Sequence, residues 1–283
     1  MNKLDSAIVE KKESTCQVSH PAIGEIYCLN APEARATLHE ICDDQLYLQA
    51  GVSISAGDVV VDVGANIGVF TLYAAKQGAQ VYAYEPMPPT YEVLQQNVEA
   101  HGLGRLVHTR NIGLSDQAEE KMMFHYPNLS VWDSWTSQDK LFEYLTENWE
   151  AILEILQNAD PDQYTAIRRL ESESQRQAAV HELIKKLSAS PVQIQCKFDT
   201  LSGVITQENI TTIDLLKLDA ELADWEILRG VKGEDWRRIR QVAMEIHVQS
   251  DLEPISQFLS QRGFSDVTGK QSTFGTSFVW ARK

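Results

Sequence analysis

The sequence predicts an α/β fold in which a mostly parallel sheet is covered by helices on both faces. Three observations carry that prediction. Short apolar runs of strand length alternate with segments of helical spacing, the rhythm of strands joined by crossover helices. The runs Val59-Val60-Val61 and Leu215-Leu216 are apolar without alternation, as strands buried on both faces must be. Polar or glycine residues follow the runs at Gly64, Glu85, Asp219 and Glu245, and the carboxyl ends of parallel strands are where such sheets bind ligands.

The elements follow in order. Residues 1–29 have weak periodicity and read as an N-terminal arm, and residues 32–48 as partly helical, so 1–50 stands apart from the domain at 51–283. A turn-rich approach leads into a first strand at 59–63, and helical spacing then continues to Gly78. A second strand covers 80–84. Pro88 and Pro89 start a helix with an apolar stripe at Tyr91, Leu94 and Val98, which His101-Gly102 closes. Residues 106–109 form a third strand and 121–125 a further short one. The rhythm then stops. Residues 126–190 form an insertion with two helices, 142–156 and 164–187, and an insertion of this length reads as a lid or cap over a substrate site, or alternatively as a dimerisation arm. Strands return at 192–198, 213–219 and 241–247, with helices at 223–229 and 252–261 and a closing hairpin of 264–267 with 276–281.

Composition narrows the function classes. The chain has 283 residues, 43% hydrophobic, and a formal charge of -15, an acidic balance that opposes nucleic acid and anionic lipid. Trp236-Arg237-Arg238-Ile239-Arg240 and Lys185-Lys186 are the basic clusters, each read as solvated helix faces. No apolar run is long enough to span a membrane and no signal peptide is visible at the start. Cys16, Cys28, Cys42 and Cys196 lack paired spacing, so free thiols in a cytoplasmic protein are expected.

The first strand and its turn, Val61-Asp62-Val63-Gly64-Ala65-Asn66-Ile67-Gly68, predict a ligand. Gly64 and Gly68 have no Cβ, so a ligand is expected to lie on the turn, with its anionic tail at the helix N-terminus. About twenty residues on, Glu85 ends the second strand, where a carboxylate accepts both hydroxyls of a ribose. The turn departs from the G-x-G-x-x-G of dinucleotide sites, and Asp62 ahead of it suits a cationic ligand. S-adenosylmethionine, with a ribose, a sulfonium, an ammonium and a carboxylate, fits better than a nicotinamide cofactor.

Candidate catalytic groups lie at later strand ends: Asp219, Glu221, Glu245 and His247. Glu245 and His247 are two apart on a strand and share a face. An acid beside an imidazole raises its basicity, which is how a general base for an attacking hydroxyl is made. Tyr126, Asn128, Trp132 and Trp135 are the candidate acceptor-pocket residues. A divalent ion at Asp219, Glu221 or Glu245 is conceivable chemically, but nothing in the spacing demands one, and no metal ligand is assigned.

These motifs, with Tyr84-Glu85-Pro86, Gly113-Leu114-Ser115-Asp116, Lys217-Leu218-Asp219-Ala220-Glu221 and Met244-Glu245-Ile246-His247, occur in the order found in FkbM-type methyltransferases, which the chain resembles over about 46–281. The run Lys217 to Glu221 keeps both acids of the family's K-I-D-V-E pattern with altered neighbours. Within the family the chain is similar to the O-methyltransferases of polyketide and nonribosomal peptide assembly lines. The resemblance implies a Rossmann-like class I methyltransferase with a mostly parallel seven-stranded sheet. It implies S-adenosylmethionine held by Asp62, Gly64, Ala65, Asn66, Gly68, Glu85, Pro86, Asn111, Gly113, Ser115 and Asp219, and His247 as base with Glu221 or Glu245 in support. It further implies a hydroxylated small-molecule acceptor, free or bound to a carrier protein, in a monomer or homodimer. Methylation of nitrogen or carbon and a non-catalytic binding module are the alternatives.

Overall fold

The computed structural model describes residues 15–127, 129–134, 138–221, 223–271 and 276–283. The chain opens with an antiparallel hairpin, β1 (Cys16–His20) and β2 (Gly24–Cys28), followed by α1 (Ala31–Leu38), which runs on into one π-helical turn over His39–Asp43. Then come β3 (Val59–Val63), α2 (Val69–Lys76), β4 (Gln80–Tyr84), α3 (Pro88–Ala100), β5 (Val107–Arg110), β6 (Gly113–Ser115) and β7 (Glu119–His125). The insertion holds α4 (Gln138–Glu147), α5 (Trp149–Ala159), α6 (Pro161–Arg168) and α7 (Glu173–Leu187). The chain finishes with β8 (Val192–Thr200), α8 (Leu201–Gln207), β9 (Leu215–Leu218), α9 (Asp224–Arg229), β10 (Gln241–Ile246), α10 (Leu252–Gln261), β11 (Asp266–Gln271) and β12 (Ser277–Arg282).

Seven strands make the main sheet in the order β11-β12-β10-β9-β3-β4-β5. The five from β10 to β5 are parallel, and β12 is antiparallel to both β10 and β11. This is a Rossmann-like, doubly wound architecture of seven strands, as the sequence predicts. Chain order runs outward from β3 in one direction, then returns to β9 on its other side. The direction switches between β3 and β9, and a crevice opens at their carboxyl ends. Val63 pairs with Leu218, so Gly64 and Asp219 leave the sheet side by side.

Side-chain alternation along β3 divides the core. Val60 packs with Phe70, Leu72 and Leu94 on one face. Val61 and Val63 pack with Leu216, Ile227 and Leu259 on the other. Each fully buried aliphatic side chain contributes roughly 1.5–3 kcal/mol. A third cluster, with Tyr126, Leu145, Trp149, Leu153, Val180 and Ile184, is internal to the insertion. Arg35 of α1 donates to the Ala159 carbonyl at the end of α5, at 3.2 and 3.0 Å, which fixes the insertion against the N-terminal segment.

Four local expectations differ from the structure. The arm contains a hairpin, with Ile26 and Cys28 buried; its strands have only five residues each, too few for periodicity to register. Where two helices are expected in the insertion, its described residues form four. Asp160 caps α6 with Pro161 in its first turn, and Ser172 with Gln175 forms a capping box that starts α7. Gly113–Ser115, which the sequence reading places in no element, is a strand paired in parallel with β8. Finally, β8 does not rejoin the main sheet but lies between β6 and β7 in a three-stranded sheet of its own. The four cysteines are free thiols. Among the described residues no helix is long and apolar enough to cross a membrane.

Candidate active site

Two cavities meet over the switch point. The smaller, about 80 Å³, is lined by Glu85, Pro86, Gly113, Leu114, Met123, Asp133 and Phe198 among others. The larger, about 380 Å³, runs from the strand ends into the helical insertion. Gly64, Asn66, Val131, Asp219 and Glu221 line both. The segment Ser130-Val131, whose Val131 lines both cavities, is tied to α1 by Glu33, whose buried carboxylate accepts from the Ser130 N–H and hydroxyl and from the Val131 N–H at 2.9, 2.6 and 3.1 Å.

The turn after β3 is shaped by close packing. Gly64 has φ +71, and a Cβ there would sit 1.7 Å from the Asp219 carbonyl oxygen. Gly68 has φ +95, and a Cβ there would press on Leu94 of α3. Gly68 lines neither cavity, so its small size serves strand-to-helix packing and not a ligand lying over it, as the sequence suggested. Asn66, at φ 49, turns its N–H to the Glu85 carboxylate at 2.9 Å, and the Met87 N–H reaches the other oxygen at 2.9 Å. Each oxygen keeps a lone pair for a further donor. Burial pushes the Glu85 carboxyl up to about 8, against the lowering by those two N–H groups. A carboxylate so held, beside a crevice that passes Gly64 to a cluster of acids, suits a ribose at one end and a cation at the other. These residues therefore fit S-adenosylmethionine.

Asp62 lines neither cavity. It is fully buried, accepts from Thr71 Oγ1 at 2.6 Å, and pairs with Lys217 Nζ at 3.2 Å. Lys217 also donates to the Gly64 carbonyl at 2.8 Å and lies 3.5 Å from Asp219. Burial alone would lower the lysine's pKa, but Asp62 and Asp219 outweigh it and raise it. The pair thus braces the turn from beneath, and the cationic partner that Asp62 predicts is a side chain of the protein itself.

The larger cavity has an ionic end and an apolar end. At the ionic end stand Glu40, Tyr47, Lys217, Asp219, Glu221, Glu245 and His247. His247 Nε2 lies 3.3 Å from Glu221 and Nδ1 lies 4.0 Å from Asp224. Burial would lower the imidazole pKa, yet Glu221, Glu245 and Asp224 together hold it well above its ordinary value. Glu221 has φ 38, a region that non-glycine residues enter at a cost of order 1–3 kcal/mol, and this turn brings it to the histidine. The Tyr47 hydroxyl donates to Asp219 at 2.8 Å and to Glu245 at 3.3 Å. Burial and the charges of Asp219 and Glu245 raise its pKa far above the usual phenol range, so it stays a donor. Burial and neighbouring acids push Glu40 up to about 8 and Glu245 to about 7. The apolar end is built from Trp132, Leu141, Leu145, Ile152, Leu156 and Leu183.

The structure therefore brings Gly64, Asn66, Glu85, Pro86, Gly113, Asp219, Glu221, Glu245 and His247 into one joined space, with Ala65 and Trp132 in the larger cavity. Asn111 lines neither cavity; its amide donates to the carbonyls of Glu85 and Pro86 at 2.9 and 3.0 Å and holds the strand end. Ser115 is buried and accepts from Lys121. Tyr126 is fully buried inside the insertion's core and walls no cavity. Asn128 and Trp135 lie outside the described residues. Sequence reasoning missed Glu40, Tyr47 and Lys217. Only Lys217 carried a signal, a cation inside the buried run Leu215-Leu216-Lys217-Leu218, which demands a buried anion nearby.

The family model for the methyltransferase FkbM domain matches residues 62–265. The chain is similar to the 31-O-demethyl-FK506 methyltransferase FkbM of Streptomyces tacrolimicus, 32% identical over 253 residues that cover 87% of both chains. It is 27% identical to the methyltransferase sdnD of Sordaria araneosa, over 91% of this chain and 93% of that one. It is 30% identical to part of the AMB antimetabolite synthetase AmbE of Pseudomonas aeruginosa, over 89% of this chain but 12% of that protein. Among solved structures, the methyltransferase FkbM of Methylobacillus flagellatus KT overlaps 86% of this chain and 52% of that one, with 12% identity and a TM-score of 0.48. With the family model spanning β3 to the end of α10, the chain belongs to the FkbM family of S-adenosylmethionine-dependent methyltransferases.

Proposed function

We propose that this methyltransferase acts on a hydroxyl oxygen of a largely apolar, secondary-metabolite-like acceptor. One observation carries the reading: the His247–Glu221 pair, at 3.3 Å, stands where the cofactor crevice opens into a cavity of about 380 Å³ whose far walls are leucine, isoleucine and tryptophan. When bound, S-adenosylmethionine supplies an electrophilic methyl group on a sulfonium. Glu85 takes the ribose hydroxyls, and the acids around Asp219 face the cationic end. The apolar residues of α4, α5 and α7 hold the acceptor and exclude water. His247 accepts the acceptor's proton as the oxygen attacks, and Glu221 stabilises the imidazolium that results. Because the surrounding acids favour the protonated imidazole, the base must first release a proton to solvent, and the rate rises with pH.

The relatives named above as methyltransferases support a small natural-product acceptor. The direct test is mass spectrometry of apolar hydroxyacyl compounds incubated with the protein and S-adenosylmethionine, each offered free and attached to a carrier protein. A gain of one methylene unit that maps to oxygen supports the reading. Methyl gain on nitrogen or carbon sinks it, as does calorimetry showing no cofactor binding at millimolar ligand.

A further inference from the structure

Cys16 and Cys28 face each other across the N-terminal hairpin. They are the pair that opens the ladder of β1 with β2. Opposed residues of an antiparallel pair have Cα atoms about 4.5–5.5 Å apart and side chains on one face. A disulfide spans Cα separations of about 4.4–6.8 Å, so the backbone can carry one as it stands. The side chains already meet: the two Sγ atoms are 2.7 Å apart, and Cys16 Sγ lies 3.2 Å from the Cys28 carbonyl oxygen. Cys28 is fully buried and Cys16 half-buried, so a small reagent reaches one sulfur of the pair and not the other. Burial, Cys16 and Glu33 push the Cys28 thiol up, which leaves Cys16 to react first. The other thiols stand elsewhere, Cys42 in the π-helical turn and Cys196 on β8 of the three-stranded sheet.

We propose that Cys16 and Cys28 are a site of reversible oxidation, whose disulfide clamps β1 onto β2. The oxidant is a small-molecule disulfide such as oxidised glutathione. The Cys16 sulfur, its proton given to water, attacks one sulfur of the oxidant, whose S–S bond breaks and releases one thiolate. Cys28 then loses its proton, and its sulfur attacks Cys16 Sγ and expels the second thiolate. The protein gives up two protons and two electrons, and the oxidant becomes two thiols. The place of the bond gives it a mechanical consequence. Among the described residues β1 pairs with β2 alone. β2 is itself fastened by Asn97 of α3, whose side chain accepts from the Tyr27 N–H at 2.7 Å and donates to the Tyr27 and Ile67 carbonyls at 2.9 and 2.8 Å. Two residues past Cys28, Asn30 caps α1, the helix whose Glu33 holds Ser130 and Val131. The bond therefore joins β1 covalently to the strand that leads into the cavity wall. Neither cysteine lines a cavity, so this chemistry does not depend on the methyl-transfer reading.

The experiment equilibrates the full chain, under native conditions, with oxidised and reduced glutathione at rising ratios. Free thiols are then alkylated in denaturant and the tryptic peptides read by mass spectrometry. Trappable thiols are expected to fall from four to two per chain, and dithiothreitol to restore all four. The single tryptic peptide 13–35 holds both cysteines, so the bond appears as that peptide with no label and two fewer hydrogens. Cys16→Ser, at the half-buried position, is expected to keep its three thiols trappable. Hydrogen exchange of the amides in β1 and β2 is expected to slow on oxidation of the wild type and not of Cys16→Ser. The proposal is overturned if all four thiols stay trappable at every ratio, or if glutathione remains attached to Cys16 without displacement by Cys28. It is equally overturned if the bond includes Cys42 or Cys196 or joins two chains. Exchange in β1 and β2 that is the same with and without the bond overturns the clamp.

Discussion

His247 shows how single residues draw their chemistry from their neighbours. Its ring is buried, which opposes charge, yet Glu221, Glu245 and Asp224 raise its pKa well above 6.5. Glu221 comes from the β9–α9 turn, Glu245 from β10, which ends one residue before the histidine, Asp224 from α9, and Tyr144 of α4 faces the same group. The His247→Ala variant is expected to lose turnover by at least about a hundredfold, the scale of general-base catalysis, while calorimetry shows unchanged cofactor affinity. Glu221→Gln removes an anion that favours the imidazolium, so the histidine's pKa falls. In a plot of kcat/KM against pH, the rising limb then moves to lower pH in the variant. A merely structural role for Glu221 would lower the whole profile without moving that limb.

At the scale of elements, the insertion is built as a unit with its own core. α7 buries Val180 and Ile184 there, beside the helices that line the acceptor end of the larger cavity. The variant Ile184→Ala leaves a void that costs about 2–5 kcal/mol locally. Steady-state kinetics should show a higher KM for the acceptor, with the affinity for S-adenosylmethionine unchanged, because the cofactor crevice lies on β3, β4 and β9. Equal losses for both ligands would show that the insertion and sheet unfold together. Of these elements, the central strands β3 and β9 were legible because each is an apolar run broken by a single charged residue, Asp62 or Lys217, and followed by a glycine or an acid. The breaks inside the insertion follow from capping by Asp160 and Ser172, local signals that the apolar spacing across them obscures. The β1–β2 hairpin and the β6–β8–β7 sheet were not legible, since pairing partners distant in sequence decide whether a short segment is a strand.

For the whole molecule, buried acids and net charge act on stability in the same direction. Burial raises the carboxyls of Glu40 and Glu85 to about 8, of Glu33 and Glu245 to about 7, and of Asp224 to about 6. The folded state therefore binds these protons more tightly than the unfolded chain, and their contribution is lost as pH rises from the ordinary carboxylate range through the folded values. His247, also raised, adds stability below its unfolded value that disappears as pH passes its folded one. The formal charge of -15 adds repulsion at the alkaline end. Scanning fluorimetry of the cofactor-free, metal-free protein should show the melting temperature falling between about pH 5 and 8. The pair Glu40→Gln and Glu245→Gln should flatten that slope and raise the melting temperature at pH 8. A melting temperature that climbs steadily with pH over this range contradicts the assignment of these carboxyls as proton-binding.

The order of apolar runs and strand-end residues was enough to determine the fold class, the family and the acids at the crevice, because strand burial and turn geometry depend on residues close together in the chain. The tertiary structure alone decided which of those residues line the crevice. Asp62 turned inward because Lys217, 155 positions away in a buried ladder with it, met its charge first. Tyr47 reached Asp219 and Glu245 from the N-terminal segment for the same reason: a folded chain brings distant groups together, and the charge or hydrogen bond that each completes is set by that meeting and not by its place in the sequence.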